Sequence, residues 1–233
     1  MNEDKITADL ISHTPEPEQT VVKLLHQLKD AHEKIGKKQN DDIIKDIIRS
    51  NNLSAIEHVS FTFVLKGISQ ISALQILERK FASVLLPQDL LFSPNYLIPP
   101  AIDNDNASKA IYIKLMNETE NTYNTIKNNL KEKEYSDDET AYNLKYILPN
   151  ALSSTIIVTM NARELLQFFL KHCCNKSQSE LHLIGDKMIA EIKQLAPNIF
   201  ENAGPGCLSG SCAEGDLTCG KIVEVRKKYK IIQ

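Results

Sequence analysis

The sequence predicts a mixed α/β (α+β) protein, with helices packed on a central, mainly antiparallel sheet. Three observations predict it. Short β-branched and aromatic runs at 6–13, 58–65 and 154–158 have strand length and strand composition. Between and after them, apolar residues recur at spacings of three and four, as in Leu181, Ile184, Met188, Ile192 and Leu195. With 233 residues and 42% apolar content, the chain is long enough to bury a sizeable core. Residues 1–200 read as one domain and 201–233 as a Cys- and Gly-rich, then basic, tail.

Taken in order, ITADLISH (6–13) alternates weakly and is a first strand. Thr14-Pro15-Glu16 reads as a helix start, with a capping Thr and Pro in the first turn. The helix runs to about Asp30 with Val21, Val22, Leu24, Leu25 and Leu28 on one side, before a break at Gly36-Lys37-Lys38. Asp41–Ser50 is a second helix with Ile43, Ile44, Ile47 and Ile48 inward. The strand 58–65 follows. Ile68, Ile71, Leu74, Leu77, Phe81 and Leu85 then fit one face of a helix over 68–85. A polar loop at 101–110 leads into a long helix, 108–133, carrying Tyr112, Met116, Tyr123, Ile126 and Leu130. Ser136-Asp-Asp-Glu139 is a capping box for the next helix. The strand 154–158 enters a helix at Asn161, with Leu165, Leu166, Phe168 and Phe169 on its apolar face. A break at Cys173-Cys174-Asn175 precedes the last long helix.

Net charge is −3, which argues against a chain-wide nucleic-acid surface. No apolar run has the length of a membrane span, and MNEDKITADL lacks a signal pattern. A cytoplasmic protein is expected. Five cysteines (173, 174, 207, 212, 219) do not form an even disulfide set. Cys207-x4-Cys212-x6-Cys219, with a fourth ligand from Cys173, Cys174 or a His, is a weak alternative metal pattern, since it lacks a CxxC pair. Otherwise no metal is expected. Cys173 and Cys174 read as small buried hydrophobes and the basic run 226–230 as a solvated terminus.

Several motifs keep a common order: Leu148-Pro149-Asn150, a strand, Asn161-Ala162-Arg163, Phe168-Phe169, Gln178-x-Glu180 and Pro197. With Ser54, Glu57-His58 and Phe61-Thr62-Phe63 upstream, this pattern resembles the flavin-dependent thymidylate synthases (ThyX family). The resemblance implies a homotetramer with ligand sites between subunits. It also implies FAD, reduced by NADPH, and transfer of a one-carbon unit from methylenetetrahydrofolate to dUMP. On matching positions, Ser54, Asn161, Arg163 and Gln167 would face the flavin. Gln75, Arg79, Lys145 and His172 would face the nucleotide. No catalytic residue is assigned.

The sequence departs from the family where phosphates and the uracil are gripped. The family's Arg-His-Arg is Glu78-Arg79-Lys80 here, and its Gly-His turn is Asn51-Asn52. Leu86 and Gln88 replace polar residues, and the closing Arg-Tyr of the loop is Leu90-Leu91. Lys145 and His172 stand in place of arginines. A carboxylate about 4 Å from a phosphate repels by roughly 1 kcal/mol in water and more when buried. A nucleotide-binding scaffold with weakened or lost catalysis is therefore expected. The alternative is a non-catalytic paralogue that partners an intact synthase.

Plainer roles are available to the same residues. Asn161 also suits a helix cap, with Glu164 closing a capping box. Arg163, a cation in a first helical turn, calls for a partner, either an anionic ligand or Glu164, Glu180 or another acid. Gln75 suits a surface position, His58 a core or interface histidine, and His172 a helix C-terminus meeting the dipole.

Overall fold

A computed structural model describes residues 5–27, 39–87, 92 and 95–231, with side chains to 229. The expectations for Leu28, the 36–38 break, Gln88 and Leu90-Leu91 lie outside these residues. The elements are β1 (Thr7–His13), α1 (Pro17–His26), α2 (Asn40–Arg49), β2 (Ser60–Ser69), α3 (Gln70–Leu77), β3 (Ala82–Leu85), α4 (Pro100–Asp103), α5 (Asn106–Glu132), α6 (Asp137–Leu144), β4 (Ser153–Asn161), α7 (Ala162–His172), α8 (Ser179–Ile192) and α9 (Ile222–Ile231). Short 3-10 turns occupy 55–58, 145–147, 206–208 and 215–217.

The strands form one sheet in the order β1-β2-β4-β3. β2 and β4 are antiparallel: the Ala162 amide donates to Val59 O, Thr62 meets Thr159 at 2.9 Å, and the Gln70 amide donates to Leu152 O. Alternation sets the faces. Phe61, Phe63 and Leu65 of β2 and Ser154, Ile156, Val158 and Met160 of β4 are buried.

The chain divides into two compact units. One comprises 1–6, 66–78 and 85–156, the other 7–65, 79–84 and 157–233. In the first, Gly67 sits at a positive φ of 70°, and a Cβ there would lie 2.3 Å from the Lys5 carbonyl oxygen. Only glycine fits that approach. The Ser136–Glu139 capping box opens α6 as its sequence implies, and Asp105 caps α5 through the Ser108 amide. The second unit holds the larger apolar core. There Phe168 and Phe169 of α7 are fully buried, as are Leu181, Ile184, Met188 and Ile192 of α8. At full burial each of these side chains contributes about 1.5–3 kcal/mol.

Four expectations need correction. α1 starts two residues late. Glu16 is its N-cap, in the left-handed region, and Pro17 takes the first helical position. The Thr14 hydroxyl instead accepts from the Ser60 amide at 3.0 Å. The proposed helix 68–85 is three things. Ile68 ends β2, Ser69 caps α3 by accepting from the Ser72 amide, and residues 82–85 form β3. The face is also reversed. Ser72, Ala73 and Ile76 are buried, whereas Ile71, Leu74 and Leu77 are 38%, 45% and 45% exposed. Leu195, placed inward, lies past the end of α8 and is exposed. Finally, the basic terminus is docked: it forms α9, with Val225 and Tyr229 buried.

Candidate ligand site around α7

In the second unit, β4 delivers Asn161 to the start of α7. Its Oδ1 accepts from the Glu164 amide at 2.8 Å. Asn161 is thus a true N-cap. The capping box does not close, because the Glu164 carboxylate is used elsewhere. Arg163 projects from the first turn and pairs with Glu57 of the 55–58 turn. Both side chains are about half exposed. Of the partners open to Arg163, the structure supplies an acid, and neither Glu164 nor Glu180 but Glu57, 106 residues away.

Ser54 leads into the same turn. It is exposed, and its hydroxyl donates to Asn52 Oδ1 at 3.3 Å. Asn51, where the resembling family has glycine, adopts φ 56°. Asparagine is one of the few non-glycine residues that tolerate this left-handed conformation. One turn along α7 from Arg163, Gln167 lines an open cavity of about 220 Å³. Asn51, Leu53, Leu170, Asn202 and Ser209 share its wall. These lining groups are apolar or neutral polar.

The other face of α7 is closed. Arg79 Nε donates to Glu164 Oε1 at 2.5 Å, with side chains 18% and 7% exposed. His172, the last residue of α7, is 3% exposed. Neither ring nitrogen has a hydrogen-bond partner among the described residues. Its ring lies 4.6 Å from that of Phe168. Burial, then the charges of Lys171 and Arg79, hold its pKa down at about 4. His172 is therefore a neutral imidazole near pH 7, not a cation meeting the helix dipole.

The predicted flavin-side residues, Ser54, Asn161, Arg163 and Gln167, thus fall on α7 and the turn paired with its first residues. Of the nucleotide-side residues, Arg79 and His172 come to the buried face of α7. Gln75, half-buried on α3, and Lys145, exposed on the 145–147 turn, belong to the first unit. His58 is exposed rather than in the core. Sequence reasoning missed Glu57 as the partner of Arg163 and the Arg79–Glu164 pair. The only signal for either was an arginine in need of an acid.

A four-stranded sheet packed with helices, with a capped α7 and an exposed Arg–Glu pair at its first turn, defines an α+β protein. Comparison with known proteins makes this specific. The family model described as "Thymidylate synthase complementing protein" matches residues 9–198. The flavin-dependent thymidylate synthase of Clostridium tetani is 32% identical over 241 aligned positions, covering 96% of this chain and 97% of the relative. That of Geobacter sulfurreducens is 31% identical, covering 95% and 97%. The chain belongs to the flavin-dependent thymidylate synthase (ThyX) family. A UMP/dUMP methylase from Streptomyces cacaoi, solved with 5-Br dUMP, matches with TM-score 0.65 and 15% identity over 84% of this chain and 93% of that one. At that identity it supports the shared fold.

Proposed function

We propose that this protein binds FAD and dUMP on a thymidylate synthase scaffold in the cytoplasm, with transfer chemistry weakened relative to its relatives. The observation that carries this reading is the contrast around α7. The Arg163–Glu57 pair is accessible, while Arg79 is committed to Glu164 and His172 is uncharged.

The residues present fit a flavin. Arg163 can leave an exposed pair worth under about 1 kcal/mol to take a diphosphate oxygen. Gln167, one turn along α7, offers a neutral amide, and the exposed Ser54 hydroxyl leads into the turn that carries Glu57. FAD, when bound, supplies the hydride chemistry, with NADPH as its reductant and methylenetetrahydrofolate as the one-carbon source. Gln75, Arg79, Lys145 and His172 are the proposed nucleotide-side set. Among them only Arg79 has the guanidinium fork suited to a phosphate, and taking a phosphate would leave Glu164 buried and unpaired.

The exposed Ile71, Leu74 and Leu77 stripe on α3 supports assembly with further copies, a tetramer by resemblance. The same stripe and the committed Arg79 favour the second reading, a non-catalytic partner of an intact synthase.

Purified protein should be yellow or take up FAD, with absorbance between roughly 350 and 480 nm. It should form dTMP from dUMP at least about 100-fold more slowly than an intact relative. A colourless protein that takes up no FAD sinks the binding claim, and dTMP formation at a relative's rate sinks the weakening. Rescue of a thymidine-requiring strain by this chain alone would exclude the partner reading.

A further inference from the structure

The cavity beside Gln167 has two walls of different origin. One belongs to the helices: Ile48 stands on α2, and Leu166, Gln167 and Leu170 stand on α7. The other is the irregular stretch after α8, from Ile199 to Ser209. That stretch contains one short 3-10 turn, 206–208. Its first half is fixed by the core. The Glu18 carboxylate of α1 accepts from the Asn198 and Ile199 amides at 2.6 and 3.0 Å, and Phe200 and Ala203 are buried. Among the described residues no three His, Cys, Asp or Glu side chains, those of Cys207, Cys212 and Cys219 included, are grouped to hold a metal ion.

The second half of the wall, 204–209, rests on α9. Arg226 donates from Nε to Cys207 O at 2.9 Å and from Nη2 to Gly210 O at 2.7 Å, so one guanidinium spans Leu208 and Ser209. Gly204 has φ 147°, and a Cβ there would lie 2.6 Å from Leu208 Cδ1 and 3.0 Å from Tyr229 Cδ1. The Tyr229 ring therefore packs on the backbone of the cavity wall, a contact that only glycine permits. The Tyr229 hydroxyl donates to Asp186 Oδ1 of α8 at 2.6 Å, and Lys228 donates to the same carboxylate and to His182 Nε2. α8 thus holds α9, and α9 holds the wall.

These anchors are few. Of the described side chains of α9 only Val225 and Tyr229 are buried, and Val223 is 77% exposed. A helix this short does not persist alone in water. A segment that buries so little apolar surface opens locally at well below the cost of global unfolding. The wall is therefore only as well ordered as the docking of α9.

We propose that Arg226 and Tyr229 are positioning residues for this cavity: α9 docked on Asp186 sets the 204–209 wall, so ligand binding in the cavity and docking of α9 are coupled. A ligand that touches the wall binds the docked form better, and it must strengthen docking by the same factor that undocking weakens its binding. The identity of the ligand rests on the flavin reading above, whereas the ordering of the wall by α9 does not.

The test compares the full chain with Arg226→Ala, Tyr229→Ala and Tyr229→Phe, none of which removes a side chain that lines the cavity. FAD titration should give a Kd at least about fivefold weaker for the two alanine variants. Tyr229→Phe keeps the ring on Gly204, and Lys228 still holds Asp186, so its Kd should stay within about twofold of wild type. Hydrogen exchange of the 203–209 amides should quicken in the alanine variants and slow in the wild type on adding FAD, while the amides of α7 keep their protection. Equal FAD affinity in all four proteins overturns the proposal. A wild type that binds no FAD overturns the flavin reading alone. Hydrogen exchange then decides the positioning: faster exchange at 203–209 in Tyr229→Ala supports it, and unchanged exchange overturns it.

Discussion

The two faces of α7 treat polar groups in opposite ways. At the N-terminal end, Asn161 is satisfied by a backbone amide and Arg163 faces solvent with Glu57. At the C-terminal end, His172 is buried and unpartnered. In the same first turn as Arg163, but on the buried face, Glu164 pairs with Arg79. An exposed pair gives up little when a ligand replaces one partner. A buried pair gives up much, because the abandoned charge stays desolvated. The exposed face of the first α7 turn can therefore serve a ligand cheaply, while the buried face, with Glu164 and His172, is largely spent on the fold.

The sharpest way to break this contrast is Glu164→Ala. It strands the Arg79 guanidinium and should cost about 3–5 kcal/mol in urea unfolding. Replacing Glu164 and Arg79 together by Met and Leu should recover most of that. If the single variant loses less than about 1 kcal/mol, the pair is not structural.

His172 gives the next largest effect. Its folded pKa is depressed to about 4, so the unfolded chain binds a proton first as pH falls. The stability it permits is complete above the ordinary histidine range and is lost as pH falls from about 6.5 to 4, by about 3 kcal/mol. His172→Phe should flatten that part of the stability profile. An unchanged slope would show that His172 titrates normally.

Asn161→Ala removes the cap of α7 and should cost about 1 kcal/mol. Arg163→Ala should be the mildest for folding, within about 0.5 kcal/mol, because the pair it breaks is exposed. Thermal and urea unfolding of the two variants check both figures. A loss above 2 kcal/mol for Arg163→Ala would mean that this end of α7 is structural too.

What was legible in the sequence follows the same division. Asn161, the 136–139 box, the β-branched run of β4 and the apolar face of α8 up to Ile192 act through near neighbours, and each was readable. The 68–85 segment was not. Its apolar stripe of Ile71, Leu74 and Leu77 has helical spacing, but Ser72, Ala73 and Ile76 are the residues the fold buries. Periodicity reports an apolar face without saying what it covers. The Ser69 cap, which divides strand from helix, is a single residue inside that pattern. Arg79–Glu164 and Arg163–Glu57 join residues 85 and 106 positions apart, beyond any local spacing rule. The docking of α9 was missed for the same reason. A run of Arg and Lys reads as solvated until Asp186 and the Cys207 and Gly210 carbonyls are seen beside it.

The most direct test is a titration of FAD, followed by quenching of its fluorescence, into the wild-type chain and Arg163→Ala side by side. The account predicts saturable binding by the wild type and at least about a tenfold weaker Kd for the variant, or about 1.4 kcal/mol. Absence of saturable binding by the wild type, or equal affinity in both, would contradict it.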